Sequence, residues 1–310
     1  MAKSILDVRY DFMGQRRRAV LLSALILALA VGAMAVRGFN FGLDFTGGTL
    51  IEVGYQSTAD LNQIRQILAD SQFTGAVVQH FGSAKEVLIR LPIQSESSSA
   101  ELSTEIMRAL STHSESVPEM RRVEFVGPQV GQELSEKGGL ALLYALGGIL
   151  LYISVRFEKR FALGAVAALV HDVLITLGFF ALFQIEFDIT VIAAVLAVIG
   201  YSLNDTIVVF DRIRENFRRI RKGSPVEVLN VSLNQTISRT LVTSLTTLVV
   251  LIALLLFGGE LIRAFAIALI IGVLIGTYSS IFIASTTALA LGISKADLMP
   301  VEKEGVSEGP

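Results

Sequence analysis

Long apolar runs alternate with polar stretches along the chain, and six of the runs are long enough to cross a membrane. A transmembrane helix needs about 20 mostly apolar residues to span roughly 30 Å of hydrocarbon. The runs cover residues 19–36, 139–155, 163–183, 189–210, 240–257 and 264–291. The pattern therefore predicts an α-helical polytopic membrane protein. Its first transmembrane helix is residues 19–36, and the other five lie within residues 138–292.

Residues 37–137 have a different pattern, with short strand-like and helix-like segments in alternation. Apolar and polar positions alternate, as in strands, at residues 49–55, 75–81, 86–91 and 121–126, and helical spacing occurs at residues 59–69 and 101–110. The order β-α-β-β-α-β predicts an inserted ferredoxin-like α+β domain, a small sheet with two helices on one face. The sequence has no Ser/His/Asp set or phosphate loop there, so we expect a binding or positioning domain without catalytic residues.

A glycine-rich motif, Gly-Leu-Asp-Phe-Thr-Gly-Gly-Thr at residues 42–49, joins the first apolar run to the first predicted strand. Gly42, Gly47 and Gly48 permit backbone angles that a β-carbon forbids. From these residues alone the motif, which also contains Asp44, is interpreted as a tight turn between the membrane part and the α+β domain.

The composition agrees with a membrane location. Hydrophobic residues make up 52% of the 310 residues and charged residues only 17%, and the mean hydropathy is +0.62, which is too apolar for a soluble domain of this length. A net charge of -2 gives no indication of nucleic-acid binding. With no cysteine and three histidines, neither a disulfide nor a metal site is expected, and no cofactor is predicted.

Basic residues predict the orientation of the chain, because Lys and Arg near helix ends favour the cytoplasm. They precede the first run and follow the second and fourth, whereas loops 184–188 and 258–263 contain a single arginine. Both termini (residues 1–18 and 293–310) and a loop at residues 211–239 are therefore predicted to be cytoplasmic, and residues 37–137 periplasmic. The residues that favour this are Arg9, Arg16, Arg17, Arg18, Arg156, Lys159, Arg160, Arg212, Arg214, Arg218, Arg219, Arg221 and Lys222.

The first apolar run has an alternative interpretation as a cleaved signal peptide. Arginines precede it, and Ala33, Met34 and Ala35 resemble a cleavage site. The run is longer than a usual signal-peptide core, and its removal would also remove the basic flank that orients the chain. An uncleaved span is therefore the favoured interpretation.

Ionisable and polar side chains occur within the apolar runs, where a charge costs about 2.5 to 3.5 kcal/mol on insertion scales. His171 and Asp172 lie in the third run, Asn204 and Asp205 in the fourth, and Arg239 just before the fifth. A membrane-buried carboxylate is suited to carry protons, since its charge depends on the water and cations it meets. We interpret Asp205 and Arg239 as a proton relay, with the other three in supporting roles. The alternative is a fixed Asp205–Arg239 ion pair that only holds helices together.

Six spans with one large domain after the first have the arrangement of one half of a twelve-helix transporter built from two parallel repeats. A partner chain is therefore expected.

Four motifs resemble those of the SecD/SecF family of protein-export membrane proteins, which belongs to the resistance-nodulation-division superfamily. Residues 42–49 resemble the motif that SecD and SecF share. Three further motifs resemble those of the SecF members of the family. They are Val-Gly-Pro-Gln-Val-Gly at residues 126–131, the His171-Asp172 pair, and the long segment 200–216. The resemblance extends over residues 9–292.

This resemblance implies a non-enzymatic subunit that uses the proton motive force in late steps of protein translocation. It implies SecD and the SecYEG channel as partners, with YajC and YidC, an unfolded exported polypeptide as client and SecA in the same pathway, in the bacterial inner membrane. The family's relay aspartate matches Asp205 and its essential arginine matches Arg239. Two alternatives stay open: a passive scaffold subunit of the translocon, and half of a small-molecule exporter of the same superfamily.

Overall fold

The structure is a computed structural model that describes residues 10–71, 73, 75–92, 99–113, 118–220 and 222–294. The predictions for Arg9, Arg221, the first nine residues and the tail from residue 295 lie outside the described residues. In chain order the first elements are α1 (Arg16–Arg37), β1 (Asn40–Phe41), α2 (Leu43–Thr46), β2 (Gly48–Gly54), α3 (Leu61–Asp70), β3 (Val77–Phe81), β4 (Ser83–Leu91), α4 (Ser99–His113) and β5 (Glu119–Val126).

Five further long helical regions follow the sheet. They are α5 (Pro128–Arg156), α6 (Lys159–Phe183), α7 (Ile189–Arg219), α8 (Pro225–Phe257) and a last region that contains α9 (Arg263–Ser279), a π-helical turn (Ser280–Ala284) and α10 (Ser285–Ala290). A two-residue strand, β6 (Glu186–Phe187), lies between α6 and α7. Within the described ranges, six helical regions including α1 are long and apolar enough to cross a membrane, which agrees with the predicted number of spans.

The connection between the fourth and fifth spans differs from the predicted loop at residues 211–239. Helix α7 continues to Arg219, and α8 begins at Pro225. Ser224 starts α8 with a capping box, because its hydroxyl accepts a hydrogen bond from the N–H of Glu227 and the Glu227 carboxylate accepts one from the N–H of Ser224. Most of the predicted loop is therefore helical, and its polar residues extend the two spans beyond the apolar runs.

The α+β domain has the predicted β-α-β-β-α-β order. Its sheet has the strand order β3-β4-β2-β5, and every neighbouring pair is antiparallel. Side chains alternate between the two faces of a strand, so Ile51 and Ile89 pack under α3 and α4, whereas Leu50 and Leu88 pack against Leu43 on the opposite face. The glycine motif is thus attached to the face of the sheet that the helices leave open.

The core of the membrane part lies around α6, α7 and α9. Half of the most apolar window of α6 and of α7 is buried, compared with 11% in α5 and 17% in α8. Gly272 and Gly276 let α9 approach α7, because a Cβ on them would meet the Val198 and Ser202 side chains at 2.0 and 3.0 Å. Helices α5 and α8 therefore present wide apolar faces to lipid or to another chain.

Candidate functional site

Asp205 is a buried carboxylate between two spans. It lies on α7, is 8% exposed, and its Oδ1 accepts a hydrogen bond of 2.7 Å from the Thr240 hydroxyl on α8. Its Oδ2 is buried, and no hydrogen bond from the described residues reaches it. One oxygen of the carboxylate is thus held by protein, and the other is open to a proton or to another donor.

Arg239 does not form an ion pair with Asp205 in this conformation. No Arg239 nitrogen lies within 4.0 Å of a carboxylate oxygen among the described residues. Its side chain is exposed on α8, on the same helix as the exposed Thr243 and Thr246. The arrangement therefore differs from a fixed, helix-holding pair and leaves a cation on the surface of the bundle.

Asn204 also lies on the surface of the chain, although it precedes Asp205 directly. Neighbouring residues in a helix point about 100° apart, and here Asp205 faces inward while Asn204 is exposed. Ala193, Ala197 and Gly200 are exposed at helical spacing with it on α7. Asn204 thus belongs to a strip of small and polar residues and is positioned away from the Asp205 carboxylate.

His171 and Asp172 form a second polar group, deep in the bundle. Asp172 Oδ2 accepts hydrogen bonds from the hydroxyls of Ser202 on α7 (2.5 Å) and Ser279 on α9 (2.7 Å), and Oδ1 lies 2.9 Å from His171 Nδ1. Asp172 is 1% exposed and His171 is 3% exposed. The carboxylate therefore ties α6 to both α7 and α9.

The glycine motif contacts the start of α7. Asp44 Oδ2 accepts a hydrogen bond of 3.0 Å from the N–H of Ile189, and the N–H of Gly42 donates to the Phe187 carbonyl at 2.8 Å. Gly47 and Gly48 have φ of 64° and 123°, and a Cβ on Gly48 would lie 2.2 Å from the Leu91 carbonyl oxygen. The motif is a turn, as predicted, and it also caps the helix that carries Asp205.

An ion pair joins the α+β domain to the same region. Arg90 on β4 binds the Glu186 carboxylate at 2.5 Å and donates to the Phe41 carbonyl at 2.9 Å, while β1 pairs with β6 in parallel. Burial raises the pKa of Glu186, and the nearby Arg90 opposes this shift. The domain is therefore fastened to the connection between α6 and α7.

Several of these groups were missed in the sequence. Ser202, Ser279 and Ser280 are uncharged and lie in apolar runs, where serine is unremarkable in a membrane helix, and Arg90 and Glu186 occur in ordinary polar stretches. These residues can be recognised only from the folded structure, where distant segments of the chain come together. No group of three or more His, Asp or Glu side chains with metal-binding geometry occurs in the part of the chain that the structure describes.

The comparisons with known proteins agree with the motifs. A family model described as "Protein export membrane protein SecD/SecF, C-terminal" matches residues 106–294, and one described as "SecD/SecF GG Motif" matches residues 32–59. The chain is 54% identical over 296 residues to "Protein translocase subunit SecF" of Vibrio alginolyticus, covering 95% of this chain and 94% of the relative. It is 47% identical over 302 residues to the protein of the same description from Escherichia coli O157:H7, covering 96% and 94%.

Two solved structures are similar in fold. A crystal structure of SecDF, described as a translocon-associated membrane protein from Thermus thermophilus, has a TM-score of 0.83 and 39% identity and covers 93% of this chain. A SecDF structure in a super-membrane-facing form has a TM-score of 0.68 and 41% identity and covers 92%. The match spans only 39% of the length of each solved chain.

Proposed function

This chain belongs to the SecD/SecF family of protein-export membrane proteins, and from this premise we propose that it is a SecF-type subunit that uses the proton motive force to promote late steps of protein translocation. It acts with SecD beside the SecYEG channel, on unfolded exported polypeptide that the SecA motor has pushed through. YajC and YidC are further partners of the assembly. The proton gradient is the energy source, and the proposal requires no cofactor.

The observation that carries this proposal is the Asp205 carboxylate, with one oxygen bound to Thr240 and the other buried without a hydrogen bond from the described residues. A buried carboxylate oxygen without a donor favours proton binding, whereas ionisation needs a nearby cation or water. One proton crossing 100 mV releases about 2.3 kcal/mol, which is comparable to the few kcal/mol that separate two conformations of a protein. The passage of a proton by way of Asp205 therefore supplies energy of the size that such a change needs.

The surface of α7 and α8 supports SecD as the partner. Polar and small residues in transmembrane helices usually face protein and not lipid, and Arg239, Thr243, Asn204 and Gly200 are all exposed here. A partner helix against this surface would cover the Arg239 charge and bring it a counter-ion. The chain accounts for about two fifths of the solved SecDF chains, which leaves room for such a partner.

The contacts of the glycine motif give a route from Asp205 to the α+β domain. Asp205 lies sixteen residues beyond Ile189 on α7, which is about 24 Å at about 1.5 Å per residue. A helix of this length moves as a rod, so a tilt at Asp205 shifts its first residue. Asp44 and Glu186 bind this end of the helix to the domain, and the domain moves with it.

The proposal places the chain in the bacterial inner membrane with both termini cytoplasmic and the α+β domain periplasmic. The domain and the Arg-poor connection after α6 lie at one end of the bundle, as the Arg90–Glu186 pair indicates. Arg156 binds Asp211 at 2.7 Å at the other end, together with Arg214 and Glu158. This separation of charges is the one expected when the arginine-rich end is cytoplasmic.

The experiment that tests the proposal is secretion of a reporter protein in cells depleted of the native subunit. Cells that carry Asp205→Asn are expected to lose the export that depends on the proton gradient. Asn preserves the shape and hydrogen bonding of the side chain but cannot carry the proton. Asp211→Asn, which removes a carboxylate at the arginine-rich end, is the matched control and should export normally. Normal export by Asp205→Asn, at normal levels beside SecD, would refute the proton relay and favour a scaffold.

A further inference from the structure

Asp172 is a second carboxylate inside the membrane part, and the relay through Asp205 does not use it. It is 1% exposed, on α6, and no Lys or Arg nitrogen lies within 4.0 Å of it among the described residues. An ionisable side chain at membrane depth without a cationic partner is costly and marks a functional site by default. Its surroundings decide which protonation states it can adopt.

The ionised form of Asp172 has two hydroxyl donors and, in the tautomer with a hydrogen on Nδ1, a third donor in His171. The Ser202 and Ser279 hydroxyls donate to Oδ2, and the His171 ring lies within hydrogen-bond distance of Oδ1. Hydrogen bonds to the charged form of a carboxylate stabilise that form. The ionised form therefore has hydrogen-bond donors although no Lys or Arg nitrogen of the described residues lies beside it.

The neutral, protonated form of Asp172 can also form its hydrogen bonds without movement of any non-hydrogen atom. The Ser279 hydroxyl lies 3.1 Å from the Gly276 carbonyl oxygen as well as 2.7 Å from Asp172 Oδ2. A proton on Oδ2 would be donated to the Ser279 oxygen, and Ser279 would then turn its own hydrogen to Gly276. The site thus accepts one proton by rotation of a hydroxyl, with no other bond made or broken.

The site adjoins the surroundings of Asp205. Ser202 precedes Asp205 by three residues, about 4.5 Å along the helix, and Ser280, the neighbour of Ser279, shares a hydrogen bond of 2.9 Å with Thr206. The π-helical turn starts at Ser280, and such turns occur frequently at functional sites. The two carboxylates therefore share one seam between α7 and α9.

His171 lines a cavity beside the pair. Its Nε2 is buried without a hydrogen bond from the described residues, and its ring lines a cavity of about 450 Å³ between α1, α6 and α10. Tyr278 stacks on this ring, with centroids 6.2 Å apart. Asp205 contacts α8 instead, so the two carboxylates meet different surroundings.

We propose that the His171–Asp172 pair is a second proton-binding site, which takes up one proton on Asp172 Oδ2 from water and releases it again during the cycle of Asp205. The role in the cycle rests on the proposed function, whereas proton binding itself does not. Ionised Asp172 holds hydroxyls of α7 and α9 against α6. Protonation reverses the hydrogen bond between Asp172 Oδ2 and Ser279, so the change of charge acts on α9. The titratable and charged groups nearby on the packed elements are His171, Tyr278, Asp205 and Arg239.

The test is infrared difference spectroscopy of the full chain in complex with SecD, recorded across a pH series and tuned to protonated carboxyl groups in apolar surroundings. Wild type should show one signal from each of Asp172 and Asp205. Asp172→Asn should lose one and keep the other, and Asp205→Asn should lose the opposite one. A spectrum that Asp172→Asn leaves unchanged, or an Asp172 signal that never varies with pH, overturns the proposal.

A serine variant keeps the test valid if Asp172→Asn fails to assemble. Ser279→Ala retains Asp172 and removes one donor, so it should change the pH at which the Asp172 signal appears and leave the Asp205 signal in place. Ser285→Ala removes another buried serine hydroxyl, which donates to the Ser280 carbonyl, and should change neither. Equal effects of the two variants overturn the proposal.

Export measurements separate this inference from the proposed function. Impaired export by both Asp172→Asn and Asp205→Asn, with the two carboxyl signals assigned, supports both. If Asp205→Asn exports normally while the Asp172 signal titrates, the proposed relay fails and the proton-binding site stands. If Asp172→Asn exports normally although its signal is lost, the role of the pair in the cycle is overturned.

Discussion

The Asp44 carboxylate accepts a hydrogen bond of 3.0 Å from the N–H of Ile189, although the two residues lie 145 positions apart. Ile189 is the first residue of α7, and the first N–H groups of a helix have no partner within it. Asp188 already caps the N–H of Val191, so Asp44 adds a second acceptor from outside the helix. The glycine motif is therefore a contact between the α+β domain and the helix of Asp205.

Removal of the Asp44–Ile189 hydrogen bond should impair export more than the accompanying loss of stability alone would. Asp44→Ala is expected to lower the free energy of unfolding by about 1 kcal/mol, as for the loss of other helix caps, and to reduce reporter export. Thermal unfolding in detergent and secretion in cells measure the two effects.

Asp60→Ala is the matched control for Asp44→Ala. Asp60 caps α3 inside the domain through the N–H groups of Asn62 and Gln63. Its loss should lower stability to a similar extent and leave export intact. Equal export defects in the two variants would contradict a specific role of Asp44.

The partly buried Glu186 should make stability depend on pH. Burial raises its pKa above the ordinary 4.5, so the folded protein binds this proton more readily than the unfolded chain. The free energy of unfolding should therefore fall as the pH rises from the ordinary value through the raised, folded value. Glu186→Gln should remove this part of the pH dependence, measured by thermal unfolding at a series of pH values.

Glu119→Gln serves as the control for Glu186, because the Glu119 side chain is 69% exposed and forms an ion pair with the exposed Arg121. It should leave the pH profile as in wild type. A profile that Glu186→Gln does not alter would show that Glu186 is not responsible for the dependence.

A disulfide between β1 and β6 should be compatible with export. Phe41 and Phe187 are paired in register, and the sequence contains no cysteine, so Phe41→Cys with Phe187→Cys introduces the only two thiols. If the domain and the start of α7 move together, export should be the same under oxidising and reducing conditions. Export that fails only after oxidation would mean that the two strands separate during the cycle.

Loss of the Arg239 charge should weaken the complex and leave the isolated chain stable. Its side chain is exposed, so Arg239→Leu should change the free energy of unfolding by less than about 0.5 kcal/mol. Co-purification with SecD should decrease, because the partner then meets leucine where it binds a cation. Leu245→Val, an exposed apolar change on the same helix, should leave both unchanged, and an unaltered SecD yield with Arg239→Leu would argue against this interface.

The hydrophobicity pattern of the sequence was sufficient to predict the architecture. Six apolar runs predicted the spans, because a helix in hydrocarbon satisfies its own backbone and needs only length and apolarity. The domain order was readable since its strands and helices each have a local period. The extent of α7 and α8 within residues 211–239 did not follow from the sequence for a related reason: their polar ends contain no long apolar run, so apolarity does not report that they are helical.

The sequence by itself also determined which residues are costly in a membrane, and Asp172, Asp205 and Arg239 were found on that ground. Only the tertiary structure decided their partners. It turned Asn204 outward and Asp205 inward, brought Ser202 and Ser279 to Asp172, and placed Asp44 on Ile189. A burial cost is a property of one residue, whereas a hydrogen bond between distant segments depends on how the helices rotate and pack, which no local pattern encodes.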